Sequence, residues 1–221
     1  EHEKMQKAPI EWNFTKKLIN IYGIASAMEY LHSQSIIHRD LKPTNILEDE
    51  HFYPKVCDFG LSKLFEKGDN NLTKTPCGSP CYVSPECISG LPYNGEKSDI
   101  WSCGVILYVM VIGDVPWTES VKAKLFEQIR EGDFMVPCDV SNCCMDLIYK
   151  LMDVDCNQRI SIDTALNHPF LKSIEIPSAK IEFDFEATDK INNEMLENDG
   201  KEQINDSQED KKHIIEHISL V

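Results

Sequence analysis

Four side chains within residues 38–60, HRDLKPTNILEDEHFYPKVCDFG, can together do phosphoryl chemistry. They are Asp40, Lys42, Asn45 and Asp58. Moving a phosphoryl group needs little covalent help from a protein. It needs a hydroxyl aimed at the phosphorus, the phosphate charge neutralised and the metals held. A carboxylate can orient a hydroxyl and accept its proton, which suits Asp40. A cation two residues on, Lys42, can reach the transferring phosphate. An amide oxygen and a second carboxylate, Asn45 and Asp58, are hard oxygen ligands of the kind Mg²⁺ prefers.

The elements that must position these groups can be read from periodicity. Phe14, Leu18, Ile21 or Tyr22, Ala25, Met28 and Leu31 form a helical apolar stripe over residues 11–33. The period is lost from 34 to 58, where Pro43, Pro54 and short apolar runs predict a loop carrying two short strands. Residues 60–83 hold Gly68, Pro76, Gly78 and Pro80 and read as a long loop of the functional or mobile kind. Ser84-Pro85-Glu86 reads as a helix start, with proline in the first turn. Residues 97–112 are apolar nearly all round and predict a buried central helix. Three shorter amphipathic helices follow, with faces Val121, Leu125, Ile129, then Met145, Ile148, Leu151 or Met152, then Ile162, Ala165, Leu166.

Composition limits what the protein binds. The 221 residues carry a formal charge of −15, and the stretch from Ser173 to Val221 supplies 13 acids against 5 bases. No basic stripe is visible, which argues against nucleic acid as a partner. The longest run without a formal charge, Ile100 to Gly113, is too short for the ~20 apolar residues of a membrane span. Nine irregularly spaced cysteines and no secretory leader favour reduced thiols and a cytoplasmic location, with the nucleus an alternative. Paired CxxC motifs at zinc-ligand spacing are absent.

The spacing of the opening stretch resembles that of the protein kinase superfamily. His38-Arg39-Asp40-Leu41 with Asn45, then Asp58-Phe59-Gly60, then Ser84-Pro85-Glu86 follow its HRDLxxxN, DFG and APE signatures in order. The resemblance covers about residues 10–172 and implies a mainly α (α+β) fold, the kinase C-lobe with a short β-hairpin in the catalytic region. It implies a lead-in segment at 1–10, a C-lobe at 11–172 and an acidic, largely disordered tail at 173–221. It implies ATP and Mg²⁺ as cofactors and a protein Ser/Thr hydroxyl as acceptor.

Roles follow for single residues. Asp40 would be the catalytic base, with Lys42 and Ser79 beside it, and Asn45 and Asp58 would hold the metal. Leu47 and Cys57 would line the nucleotide site. His38, Phe59 and Asp99 would brace the catalytic loop, and Glu86 and Arg159 would form a buried ion pair. Thr75 would carry an activating phosphate from an upstream kinase, with Arg39 and Lys63 as its cations.

Lys42 is typical of serine/threonine kinases. Residues 75–80 (TPCGSP) and 95–117 resemble the calcium/calmodulin-dependent and AMP-activated group, while residues 51–63 look more like tyrosine-kinase-like serine/threonine kinases of protists. Glu48 stands where relatives carry Leu or Ile, and its carboxylate is expected to be buried and unpaired, which is costly. Thr44 and Val109 replace glutamates that hold basic substrates. No GxGxxG or VAIK-type lysine precedes Asp40, so the N-lobe is expected to be absent and the 221 residues alone nearly inactive. The alternative reading is a non-catalytic one-lobe binding or regulatory module. In the tail, Ile181, Phe183 and Phe185 are candidates for docking back on the lobe, Ser207 for phosphorylation, and Ser219-Leu220-Val221 for carboxylate capture.

Overall fold

The computed structural model describes residues 14–65 and 72–173. The lead-in segment, the tail beyond Ser173 and the tail candidates Ile181, Phe183, Phe185, Ser207 and Ser219–Val221 lie outside the described residues.

The first apolar stripe forms α1, Phe14–Ser33. Leu18, Ile21, Ala25, Met28 and Leu31 are buried as the period requires, and Ile24 joins them. The most apolar segment forms α3, Gly95–Ile112. Asn94 caps its start by accepting from the Lys97 N–H, and Gly113 ends it with φ 92°, a left-handed turn that glycine adopts without strain. Trp101, Val105, Ile106 and Leu107 are fully buried around its axis. Each such side chain contributes about 1.5–3 kcal/mol relative to exposure.

Helices α1 and α3 pack together and form the centre of the fold. On the far side of α3 lies α5, Asn142–Leu151. A methyl at Gly104 would meet Met152 Cγ at 2.6 Å, so glycine there permits the close approach of that chain. Helix α6, Ile162–Leu166, packs on α1, and the short α7, Pro169–Lys172, packs on α5 and α6. Helix α2, Pro85–Ile88, begins at Ser84, whose hydroxyl accepts from the Cys87 N–H. It contacts α4, Lys122–Glu131.

Among the described residues, three two-stranded antiparallel ribbons lie with these helices. Strands β2 (Ile46–Glu48) and β3 (Pro54–Val56) are the two strands expected between 34 and 58, paired with Ile46 opposite Val56. The others were not anticipated. Strand β1 (Ile36–Ile37) pairs with β4 (Lys63–Leu64), and β5 (Leu72–Thr73) pairs with β6 (Tyr93–Asn94). The predicted long loop 60–83 is therefore tied down near its start, at 63–64, and again at 72–73. Two-residue strands give too little sequence for a period of two to show.

Three expectations about single residues are corrected. Val121 is exposed, because it caps α4 rather than lying on its face; Leu125, Gln128 and Ile129 form the buried side. Met145 is only partly buried, and Cys144 and Leu147 take its place in the core beside Ile148 and Leu151. Glu48 is neither buried nor unpaired. Its carboxylate accepts from Lys16 Nζ at 3.1 Å and Asn20 Nδ2 at 3.3 Å, both on α1. The strand pleat turns Glu48 outward to a cation supplied by the neighbouring helix.

Candidate active site

The loop from His38 to Asn45 is held from below by one buried carboxylate. Asp99, on the first turns of α3, accepts the His38 N–H through Oδ2 at 2.9 Å and the Arg39 N–H through Oδ1 at 2.9 Å. His32, in the last turn of α1, meets the same Oδ2 at 3.0 Å. Arg39 has φ 67°, a left-handed conformation that costs a non-glycine residue of order 1–3 kcal/mol. The two backbone bonds to Asp99 hold it there.

His38 is fully buried and links both halves of the loop. Its Nδ1 accepts from the Asp40 N–H at 3.3 Å. The other nitrogen, Nε2, must then carry the proton that it donates to the Cys57 carbonyl at 3.1 Å. Its ring stands edge-on to Phe59 at 5.2 Å. One imidazole thus fixes the distance between the Asp40 and Asp58 backbones.

Around Asp40 the structure gathers the residues the sequence points to. Asp40 Oδ1 accepts from the Ser79 N–H at 2.8 Å and the Ser79 hydroxyl at 3.0 Å. Oδ2 accepts from Lys42 Nζ at 2.7 Å, and Lys42 also donates to Ser79 Oγ at 3.0 Å. Asn45 Nδ2 donates to the Asp40 carbonyl at 2.9 Å and to Oδ2 at 3.4 Å. Gly78 permits this closure, with φ 99°; a methyl there would sit 2.8 Å from the Arg39 carbonyl. The carboxylate, ammonium and hydroxyl form one connected triangle, with little reorientation left to perform during a reaction.

Asp58 is exposed and left-handed, with φ 62°, and its Oδ1 accepts from the Gly60 N–H at 3.3 Å. Asn45 commits its amide nitrogen to Asp40, which leaves its carboxamide oxygen for a ligand. The donor set offered by Asn45 and Asp58 is therefore oxygen only, which suits a hard divalent cation. Leu47 is 50% exposed on β2, so its side chain is open to a ligand. Cys57 is half-buried; burial, with the Asp58 charge beside it, pushes its thiol up and keeps it protonated.

The pairing with Arg39 and Lys63 is expected of phosphorylated Thr75, and the structure describes the unmodified threonine. Thr75 is exposed, and its carbonyl accepts from the Tyr93 hydroxyl at 3.2 Å. Arg39 instead donates from Nε to the Leu61 carbonyl and from Nη1 to the buried Thr73 hydroxyl at 3.4 Å. Lys63 Nζ lies over the Phe65 ring at 4.6 Å.

Farther out, Arg159 and Glu86 form a two-pronged ion pair at 2.6 and 2.9 Å. Arg159 also donates to the carbonyls of Lys97 and Asp153, and its guanidinium lies 5.1 Å from the Trp101 ring centre. Lys97 Nζ returns a bond to the Arg159 carbonyl at 2.7 Å. This knot joins α2, α3 and the segment before α6.

Sequence reasoning missed His32, Lys97, Lys16 and Asn20. Each acts across a long sequence interval, and no local pattern marks it. Ser84, read from sequence only as the start of a helix, also donates to the Ser98 hydroxyl at 2.9 Å, which fastens α2 to α3.

Comparison with known proteins decides the family. The protein kinase domain matches residues 4–171. This chain belongs to the protein kinase family. It is 43% identical over 153 residues to CBL-interacting serine/threonine-protein kinase 7 of Arabidopsis thaliana, covering 69% of this chain and 36% of that protein. It is 39% identical over 183 residues to the carbon catabolite-derepressing protein kinase of Candida glabrata, covering 83% of this chain and 29% of the relative. SNF1-related protein kinase catalytic subunit alpha KIN12 of Arabidopsis thaliana is 44% identical over 150 residues, 68% of this chain and 30% of the relative. The kinase domain is of the serine/threonine kind by homology, and the likeness of residues 75–80 and 95–117 to the AMP-activated group agrees with these relatives. The chain spans about a third of the length of the curated relatives it matches.

Proposed function

We propose that this chain carries the helical, substrate-binding lobe of a serine/threonine protein kinase and its phosphoryl-transfer centre. The observation that supports this best is the convergence of Lys42, Ser79 and Asn45 on the Asp40 carboxylate. Asp40 orients the acceptor hydroxyl and takes its proton. Lys42 supplies positive charge where the phosphoryl group passes. Ser79 holds both in register. Leu47, exposed in the middle of β2, and Cys57, directly after β3, would line the nucleotide site.

Asn45 and Asp58 would hold Mg²⁺. Bound there, the ion supplies neutralisation of phosphate charge. Thr75 is exposed and open to phosphorylation by an upstream kinase. A phosphate there carries about −1.5 to −2 charge and would compete with Thr73 and Leu61 for the Arg39 guanidinium. Thr44 is exposed and Val109 is partly buried, so neither offers a charge to a basic substrate.

The test is transfer of labelled γ-phosphate from ATP to a protein mixture, using the protein purified from its own cells. Label on serine and threonine, abolished by a divalent-metal chelator, is the expected result. Label confined to tyrosine, or transfer that survives chelation, contradicts the proposal.

A further inference from the structure

Two thiols outside the phosphoryl-transfer centre lie together in the segment that carries Ser79. Cys77 is half-buried, two residues before Ser79; Cys87 is buried in α2. The Cys87 thiol donates to the Cys77 carbonyl oxygen at 3.6 Å. That places Cys87 Sγ within about 6 Å of the Cys77 Cα, because a carbonyl oxygen lies only two bonds from its own Cα. The Tyr93 hydroxyl donates to the Thr75 carbonyl at 3.2 Å and so fixes the backbone two residues before Cys77. With the Cys87 sulfur already on the Cys77 carbonyl, the movement needed for bonding is a rotation of the Cys77 side chain.

We infer that Cys77 and Cys87 are a dithiol pair that hydrogen peroxide closes into a disulfide, linking the Ser79 segment to α2. The chemistry is independent of catalysis. The more accessible Cys77 reacts first: its thiolate sulfur attacks peroxide, an S–O bond forms, the O–O bond breaks and hydroxide leaves to become water. The Cys87 sulfur then attacks the Cys77 sulfenic acid. An S–S bond forms, the S–O bond breaks, and the departing hydroxide takes the Cys87 proton as a second water. Two thiols lose two protons and two electrons, and one peroxide is reduced to two waters.

Proximity favours this pair, not acidity. Burial pushes the Cys77 thiol up, with the Cys87 and Asp40 charges adding to it, while the Arg39 guanidinium and the Tyr93 hydroxyl pull it down. The initial attack is therefore slower than at an activated thiolate. Once Cys77 is oxidised, Cys87 is already beside it, and this second step outruns further oxidation. The closed ring runs from 77 to 87 and contains Ser79, whose backbone and hydroxyl hold Asp40.

The test is a thiol map of the full chain. The protein is treated with hydrogen peroxide, free thiols are alkylated without reductant, and the digest is read by mass spectrometry. The exposed Cys138 serves as internal control for exposure to oxidant. The expected product is a Cys77–Cys87 linked peptide pair that has lost two hydrogens and is reversed by a dithiol reductant. In Cys87→Ser, Cys77 is expected to be trapped instead as its sulfenic acid by a diketone reagent. Full alkylation of Cys77 and Cys87 in wild type while Cys138 is oxidised overturns the inference. So does Cys77 linked to Cys81, and neither result depends on how a variant folds.

Discussion

Replacing Asp40 by Asn slows phosphoryl transfer by about 10²–10⁴-fold, the usual contribution of a positioned general base. The amide keeps the shape of the carboxylate and can still accept from Ser79 on one side. It cannot take a proton, and its NH₂ group faces the Lys42 ammonium where an acceptor stood at 2.7 Å. The loss falls on the maximal rate far more than on the apparent affinity for ATP, because the group acts on the acceptor hydroxyl. Steady-state rates with circular dichroism check this. A variant with native dichroism and undiminished rate contradicts the role given to Asp40.

The second large effect concerns folding. Arg159→Ala is expected to destabilise the domain by about 3–5 kcal/mol, the cost of leaving a buried ion-pair partner behind. Arg159 is fully buried and Glu86 is 14% exposed at its side chain, so water relieves part of the charge left on Glu86 and the effect sits toward the lower end. The same change removes donors from the Lys97 and Asp153 carbonyls and contact with the Trp101 ring. For a domain of this size the loss lowers the melting temperature by about 10 °C. Thermal unfolding followed by dichroism measures it. A shift of only a degree or two would mean that the pair contributes no more than a surface salt bridge.

What was legible in the sequence was local. Asp40, Lys42 and Asn45 lie within six residues, and His38 and Phe59 close to Asp40 and Asp58. Chemistry at such short intervals is visible as a spacing, and the structure does bring Lys42 and Asn45 onto Asp40 and His38 onto the Cys57 carbonyl. Helices α1 and α3 were legible because long apolar periodicities survive noise. Helix starts were less so: Val121 was placed on the face of α4, whereas it only precedes that helix's first turn.

The remainder depends on chain returning from far away. His32 reaches Asp99 across 67 positions, Lys97 reaches Arg159 across 62, and Lys16 reaches Glu48 across 32. Nothing in the residues around Glu48 says that a lysine and an asparagine on α1 will face it. Burial was inferred there from a substitution pattern, whereas the fold supplied a cation and an outward pleat. The ribbons β1–β4 and β5–β6 were hidden for a related reason. Their two-residue strands are held by partners at least 26 and at least 20 positions away, not by any propensity of their own.

The central claim is that Asp40 and its neighbours work as one phosphoryl-transfer centre. Groups that act as a unit show non-additive losses, since removing either member disables the same step. The most direct measurement is therefore the transfer rate of Asp40→Asn, Lys42→Ala and the double variant in the protein purified from its own cells. The account predicts that the double variant is about as slow as the slower single one. A double variant slowed by the product of the two single losses would mean that Asp40 and Lys42 act independently and would contradict it.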